Sequence, residues 1–403
     1  MSINNNDFYS ILASKVEASA IRELLKLTQT PEVISLAGGL PAPETFPVEE
    51  IREIVNSVLL KESAQALQYS TTEGLPGLRQ SILDYLAADG IKGMLDNIII
   101  TTGSQQGLDL IGKLFLSPGD VAIVELPSYL AAITAFRSYG GELAGIPMDE
   151  DGMQVELLEK KIKQLIDQKK KVKFIYTISN FQNPAGVTMS LPRRKKILEI
   201  VKKYNLFIVE DNPYEKLRFE GICLPSIYSL DKEGRVISLG TFSKILCPGL
   251  RIAWMLGNNE IIRKIALLKQ TTDLCTNILS QMIADKYFKL GKFNKNIESN
   301  IDIYKQKRNV MLSSLEQYFP AQATWTNPLG GFFVMVTLPE YIDAGKMLME
   351  AVEENVAYVP GSPFFANGEG KNTFRLSFCY PSQEDIKEGV KRLGKVIKKN
   401  VKK

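Results

Sequence analysis

The sequence predicts an α/β fold, with a large domain built on a mostly parallel, buried sheet and a smaller α+β domain after it. Three observations carry that expectation. Short apolar runs alternate with amphipathic helical segments through the middle of the chain. The residues that directly follow those runs are polar, aromatic or cationic. After residue 300 the pattern changes to strands on either side of one helical stretch.

Taken in order, the first 45 residues hold one helical segment, ASAIRELLKL, and then SLAGGLPAPETFP. The latter is a Gly/Pro-rich extended arm with little core of its own, expected to pack on another domain or another chain. NIIITT (97–102) reads as a strand and QQGLDLIGKLFL (105–116) as the helix after it. VAIVEL (121–126) and VKFIYTI (172–178) are further strands. In PRRKKILEIVKKYN (192–205), Ile197, Ile200, Val201 and Tyr204 recur at helical spacing. LFIVED (206–211), VISLG (236–240) and IAWMLG (252–257) continue the large sheet. NIDIYKQKRNVMLSSLEQYF (300–319) is expected to be the long helix that joins the two domains. GGFFVMVTL (330–338) and TFRLSFCY (373–380) read as strands of the small domain, with a helix near 343–355 between them.

Composition narrows the function. The 403 residues are 45% hydrophobic and 23% charged with a net charge of +4, a soluble globular balance without a basic block of nucleic-acid density. The C-terminal KVIKKNVKK fits the polar end of a terminal helix, so no nucleic-acid partner is expected. No apolar run reaches the ~18 residues of a spanning helix, and MSINNNDFYS lacks the parts of a secretory signal. Cys223, Cys247, Cys275 and Cys379 share no CxxC spacing and read as free thiols of a reducing compartment. A cytoplasmic protein with no membrane partner is the expectation. The chain has no histidine. Ser-His-Asp and Cys-His catalysis are excluded, and the usual zinc constellations with them. Proton transfer falls to Lys, Asp, Glu, Tyr or Cys, or to a cofactor.

Ligands of open α/β sheets bind beyond the carboxyl ends of the strands. Five ends here deliver Gly103-Ser104-Gln105, Ser128-Tyr129, Asn180 to Pro184, Asp211 with Tyr214, and Thr241 to Lys244. Each piece suits an anionic aromatic cofactor. Gly103 and Ser104 at a helix start seat a phosphate. Arg251, Thr241 and Ser243 add a cation and hydroxyls. Tyr129 offers a stacking face, Asp211 a carboxylate, and Lys244 an amine able to form an imine. Alone, each has a plainer reading: Gly-Ser caps helices, Asn-Pro makes turns, and an Asp at a strand end caps the next helix. The ordered set of five points to a site.

TFSKILCPGLR around Lys244 resembles the cofactor-lysine segment of fold-type I pyridoxal-phosphate aminotransferases. YTISNFQNPAGVTMS and VEDNPYEKL resemble that family's Asn-Pro and Asp-x-x-Tyr segments. LQYSTTEGLPGLR, TTGSQQGLDL, ISLAGGLPAPETFP and YVPGSPFFANGEGKNTFRLSF are similar to the 2-aminoadipate/kynurenine aminotransferase branch. The resemblance runs from about Ser14 to the C-terminus. It implies a seven-stranded large domain (46–299), with a small domain from the N-terminal arm (1–45) and the C-terminal segment (300–403). It implies pyridoxal 5′-phosphate as cofactor, amino acid and 2-oxo acid substrates with 2-oxoglutarate as acceptor, and a homodimer with shared sites.

Position by position, the resemblance makes Lys244 the cofactor lysine and Asp211 the partner of the pyridine nitrogen. Asn183 and Tyr214 would bond the phenolic oxygen, and Tyr129 would stack on the ring. Ser104, Gln105, Thr241, Ser243 and Arg251 would surround the phosphate. Tyr69 would reach the phosphate of the neighbouring subunit. Arg375 would bind the substrate α-carboxylate, and Gly39 would close over it. Arg22, on a helix face that otherwise reads as solvated, would meet acidic side chains. A cis Asn183–Pro184 peptide is expected. Thr241 stands where a serine is more usual, and Cys247 where a small residue is. A β-lyase or decarboxylase on the same scaffold is the alternative chemistry. A regulator domain that senses the cofactor is more remote, since only about 45 residues precede the large domain.

Overall fold

The computed structural model describes residues 8–10, 12–15 and 32–401. The helix expected over ASAIRELLKL, with Arg22, lies outside the described residues. Strand β1 (Ile34–Ser35) comes first, and the large sheet follows. Its strands are β2 (Ile98–Thr102), β3 (Val121–Leu126), β4 (Glu142–Asp149), β5 (Gly152–Met153), β6 (Val172–Thr177), β7 (Phe207–Asp211), β8 (Val236–Thr241) and β9 (Ile252–Leu256). They are ordered β2-β9-β8-β7-β6-β3-β4-β5. The pairs from β8 through β4 are parallel. β9 pairs antiparallel with both β8 and β2, so β2 runs with the parallel set. A parallel return needs a crossover of about a dozen residues or more. Residues 242–251, between β8 and β9, are too few for one, so β9 turns straight back.

The strands are apolar because both faces are covered. Along β3, Ala122 and Val124 face one helical layer while Val121 and Ile123 face the other. Phe174 and Tyr176 of β6 join the first layer, and Ile175 joins the second. The helices Gly103–Phe115, Leu130–Ser138 and Asn259–Gln270 form the first layer. Val155–Asp167 and Leu191–Tyr204 form the second.

The seven expected strands are present among the described residues, and a short eighth joins them. Seven strands have five to eight residues, and β5 adds a two-residue hairpin partner to β4. Gly152 at φ +94° and the acceptance of the Asp151 N–H by Asp149 Oδ1 (2.9 Å) make that tight turn. β4 is also the strand that no apolar run announces. It has one neighbour besides the short β5, and only Ala144 and Ile146 of its residues are buried, the others being half-buried or exposed.

The smaller sheet contains β10 (Thr324–Trp325), β11 (Phe333–Thr337), β13 (Val359–Pro360) and β14 (Thr373–Ser377), in the order β10-β11-β14-β13 and antiparallel throughout. β12 (Val356–Ala357) pairs parallel with β1, so the N-terminal arm is tied to the C-terminal segment. The long helix begins at Phe293, ahead of the expected 300, and ends at Tyr318. It packs on the terminal helix Gln383–Val401. Among the described residues no helix is long and apolar enough to cross a membrane.

Candidate active site

A cavity of about 380 Å³ opens at the carboxyl ends of β2, β3, β6, β7 and β8. Twelve of the residues singled out in the sequence line it: Gly39, Ser104, Gln105, Tyr129, Asn183, Asp211, Tyr214, Thr241, Ser243, Lys244, Arg251 and Arg375. Tyr69 does not; it is 77% exposed on the surface of the single chain. Arg22 lies outside the described residues.

Asp211, the last residue of β7, forms part of the wall. Its Oδ2 accepts a hydrogen bond from the Tyr176 hydroxyl at 2.9 Å, while the buried Oδ1 has no partner among the described residues. Burial pushes the carboxyl up to about 7. A buried acceptor without a donor is costly, so Oδ1 suits a ligand N–H.

Lys244 leaves β8 through Thr241, Phe242 and Ser243. Its Nζ donates to the Gly39 carbonyl at 2.9 Å and lies 5.5 Å from the centre of the Phe332 ring. Burial lowers its pKa to about 8, and the charges of Arg375 and Arg251 add to the effect. Near neutral pH a usable fraction of the amine is therefore neutral.

The helix Gly103–Phe115 starts beside Arg251. Gly103 has φ +75°, and a Cβ there would meet the Arg251 guanidinium at 2.1 Å, so only glycine lets the cation lie against the helix start. The buried Ser104 Oγ has no partner among the described residues. A helix N-terminus, an orphan hydroxyl and a guanidinium together make an anion seat. The Thr241 hydroxyl is already used within its turn: it accepts from the Ser243 N–H at 3.1 Å and donates to Ser243 Oγ at 3.0 Å.

Arg375 sits across the cavity on β14, buried, with no carboxylate partner among the described residues. It donates to Asn183 Oδ1 and to the Ala37 carbonyl, each at 2.8 Å. Its guanidinium lies 4.1 Å from the centre of the Phe333 ring and 5.1 Å from that of Phe364. Burial lowers its pKa to about 10, and Nε has no partner among the described residues. Such a cation is built to receive a carboxylate. Because Asn183 Oδ1 is taken by Arg375, its amide nitrogen is left to donate. The Asn183–Pro184 peptide is cis, as expected, and so is Leu126–Pro127. Tyr214 packs edge-on to Phe332 and Phe333 at 5.4 and 5.8 Å between centroids. Burial pushes its phenol well above the ordinary value.

Sequence reasoning missed Gly38, Leu40, Ile178, Pro213, Pro248 and Phe333, which also line the cavity. Phe333 was legible only as core. Its register on β11, two residues from Met335, which faces Arg375, is what brings the ring to the guanidinium.

Three cations, an orphan carboxylate oxygen and an orphan hydroxyl fit a flat ring that carries a phosphate and a protonatable nitrogen. The comparisons agree. Residues 31–393 match the model of the family described as aminotransferase class I and II. The chain is 52% identical to aromatic-amino-acid aminotransferase 1 of Thermococcus litoralis over 98% of this chain and 95% of that protein. A crystal structure of Pyrococcus horikoshii kynurenine aminotransferase, solved with PMP, superposes with a TM-score of 0.96 at 50% identity, covering 99% of each chain. The α-aminoadipate aminotransferase of Thermus thermophilus, complexed with N-(5′-phosphopyridoxyl)-L-leucine, superposes with a TM-score of 0.92 at 40% identity, covering 99% of this chain and all of that one.

Proposed function

The chain belongs to the class I and II aminotransferases, and from that premise we propose that it moves an amino group from an amino acid to a 2-oxo acid with pyridoxal 5′-phosphate bound through Lys244. The observation that carries this reading is one cavity holding a lysine of lowered pKa and a carboxylate with a free buried oxygen. The cofactor, when bound, supplies an electron sink for charge at the substrate α-carbon.

The rest falls to this chain's residues. Asp211 Oδ1 holds a proton on the ring nitrogen. Asn183 and Tyr214 bond the phenolic oxygen, and Tyr129 covers the ring face. Gly103, Ser104, Gln105, Thr241, Ser243 and Arg251 surround the phosphate. Arg375 grips the α-carboxylate and orients the α-hydrogen. Lys244 Nζ, once released, takes that proton as general base. The Gly39 arm excludes water.

The relatives' names support amino donors of the aromatic and 2-aminoadipate classes; glutamate and branched-chain donors, and 2-oxoglutarate as acceptor, are part of the same proposal and rest on the family resemblance of the sequence. Arg22 is proposed as the reader of a distal carboxylate: Arg22→Gln should weaken glutamate or aminoadipate and spare leucine or an aromatic donor, and equal losses across all four would reject the role. The exposed Tyr69 supports a homodimer in which it reaches the partner's phosphate, which sedimentation tests. The β1–β12 pairing supports a small domain of residues 1–45 and 300–403 around a large domain of 46–299. Four free cysteines support a cytoplasmic location. Steady-state assay with and without a 2-oxo acid tests the chemistry. Turnover should require the acceptor, and acceptor-independent loss of the amino group would point to a lyase instead.

A further inference from the structure

Glu125 is a second buried carboxylate beside the site, and nothing in the proposed chemistry uses it. It sits on β3, 1% exposed, with no ion pair among the described residues. Such an acid is tolerated only where donors converge on it. Three do. Oε1 accepts from the Thr177 hydroxyl, and Oε2 accepts from the Ile178 N–H at 3.3 Å and from Gln182 Nε2 at 3.0 Å. Burial raises Glu125 to about 7, and these donors pull the other way.

The Gln182 amide joins two turns. Its Nε2 also donates to the Pro127 carbonyl at 2.8 Å, two residues before Tyr129. Its Oε1 accepts from the Ala185 N–H at 2.9 Å, on the turn that carries Asn183. That pattern fixes the orientation of the amide. Turned over, its oxygen would face a carboxylate and a carbonyl, and its nitrogen would face an N–H. Tyr129 and Asn183 both line the cavity, one as a ring face and the other as an edge donor.

We propose that Glu125 is a positioning residue that acts through Gln182. It locks the turn bearing Asn183 to the turn bearing Tyr129 and so sets the slot in which the cofactor ring is held. The inference rests on the pyridoxal-phosphate reading above. Replacing Glu125 by glutamine keeps the shape but trades one acceptor oxygen for a donor. The Thr177 hydroxyl can turn to accept from the new amide, but the Ile178 N–H and Gln182 Nε2 are left to share its one uncharged oxygen, and the tie from Gln182 to β3 loosens.

The test is a double-mutant cycle on full-length protein. Glu125→Gln, Gln182→Met and the pair are stripped of cofactor and titrated with pyridoxal phosphate. Two quantities are read: the dissociation constant and the visible circular dichroism per bound cofactor, which reports how asymmetrically the ring is held. Each single variant should weaken the band and raise the dissociation constant about tenfold. The pair should be no worse than Gln182→Met alone, because both changes break one unit. A band of wild-type size in the single variants, or additive losses, overturns the inference. Should Glu125→Gln not accumulate as folded protein, Gln182→Met alone decides: the same two losses support the assignment, and a wild-type band overturns it. A wild-type chain that bound no pyridoxal phosphate would overturn the cofactor reading and this inference with it, whereas a wild-type band shared by the variants overturns this inference only.

Discussion

The floor of the cavity, from Ser104 round to Arg251, stands on strand ends whose neighbours pair with them, whereas its cover, Leu36 to Thr45, is fastened mostly by single side-chain bonds. Asp211 closes a strand paired on both sides, by β6 and β8. In the cover, Ala37 O is held by Arg375, Leu40 O by the Cys379 thiol at 3.0 Å, Ala42 N by the Tyr304 hydroxyl at 3.1 Å, and Glu44 by Lys307 at 2.8 Å. Among the described residues one hydrogen bond crosses from floor to cover, from Lys244 Nζ to the Gly39 carbonyl. Segments held by few bonds open at lower cost than paired strands. The floor is thus suited to hold a cofactor through many turnovers, and the cover to release each product. Changes to the floor should alter cofactor binding, and changes to the cover should alter only how well an amino acid is held.

The largest effect belongs to Lys244. Lys244→Ala should remove the visible absorbance of lysine-bound cofactor and lower kcat by about 10⁴-fold or more. In the wild type, only the neutral amine attacks. With its pKa held at about 8 against an ordinary 10.5, cofactor attachment to the apoprotein should quicken with rising pH through about 8 and then level. A rate still climbing past 10.5 would mean that Lys244 behaves as a surface lysine.

Arg375 touches both regions, through Asn183 on the floor side and Ala37 in the cover. Lysine cannot reproduce its planar fork. Arg375→Lys should lower kcat/KM by about 10²-fold, a loss in the range expected for a buried charged hydrogen-bond pair. The loss should be alike for every amino acid, since all share the α-carboxylate. An effect confined to one donor would break the assignment.

The two regions were also unequally legible. The floor could be read because its residues other than Arg251 follow an apolar run, and a parallel sheet lines up the carboxyl ends of its strands. Local sequence therefore carried spatial information. The cover could be read only as Gly/Pro-rich and unable to fold alone. Which atoms hold it depends on contacts hundreds of residues apart, such as Ala42 with Tyr304, and no local pattern encodes these. Phe333 hid for a related reason. In GGFFVMV a phenylalanine looks like core, and only the β11–β14 register puts its ring against Arg375. β4 escaped because, next to the sheet's end, only Ala144 and Ile146 of its eight residues are buried, which leaves no continuous apolar run.

Gly39→Ala probes the contact between cover and small sheet. A Cβ there would lie 2.7 Å from Phe333 Cζ, so the arm must lift or the ring must turn. Overpacking of this size costs about 1–3 kcal/mol. Only the closed arm bears it, so KM for the amino donor should rise about tenfold while cofactor absorbance stays at wild type. A loss of cofactor would show that floor and cover are not separable.

The smallest effect, and the most discriminating, is expected at Tyr304. Its buried hydroxyl accepts the Ala42 N–H and lies 3.3 Å from Thr45 Oγ1. Tyr304→Phe keeps the ring, which packs 4.8 Å from Phe332, and removes only the oxygen. Ala42, itself fully buried, then keeps an N–H without an acceptor, at a cost of about 1–3 kcal/mol. An open arm can offer that N–H to water, so the penalty falls on the closed form. KM for the amino donor should rise a few-fold, to about tenfold at most, with kcat for bound substrate and the cofactor dissociation constant unchanged. Stopped-flow binding of the amino donor separates the cases. Faster product release with unaltered cofactor affinity supports a cover that opens on its own. A fall in cofactor affinity matching the rise in KM would mean that the arm is part of the floor's structure, and the two regions would have to be treated as one.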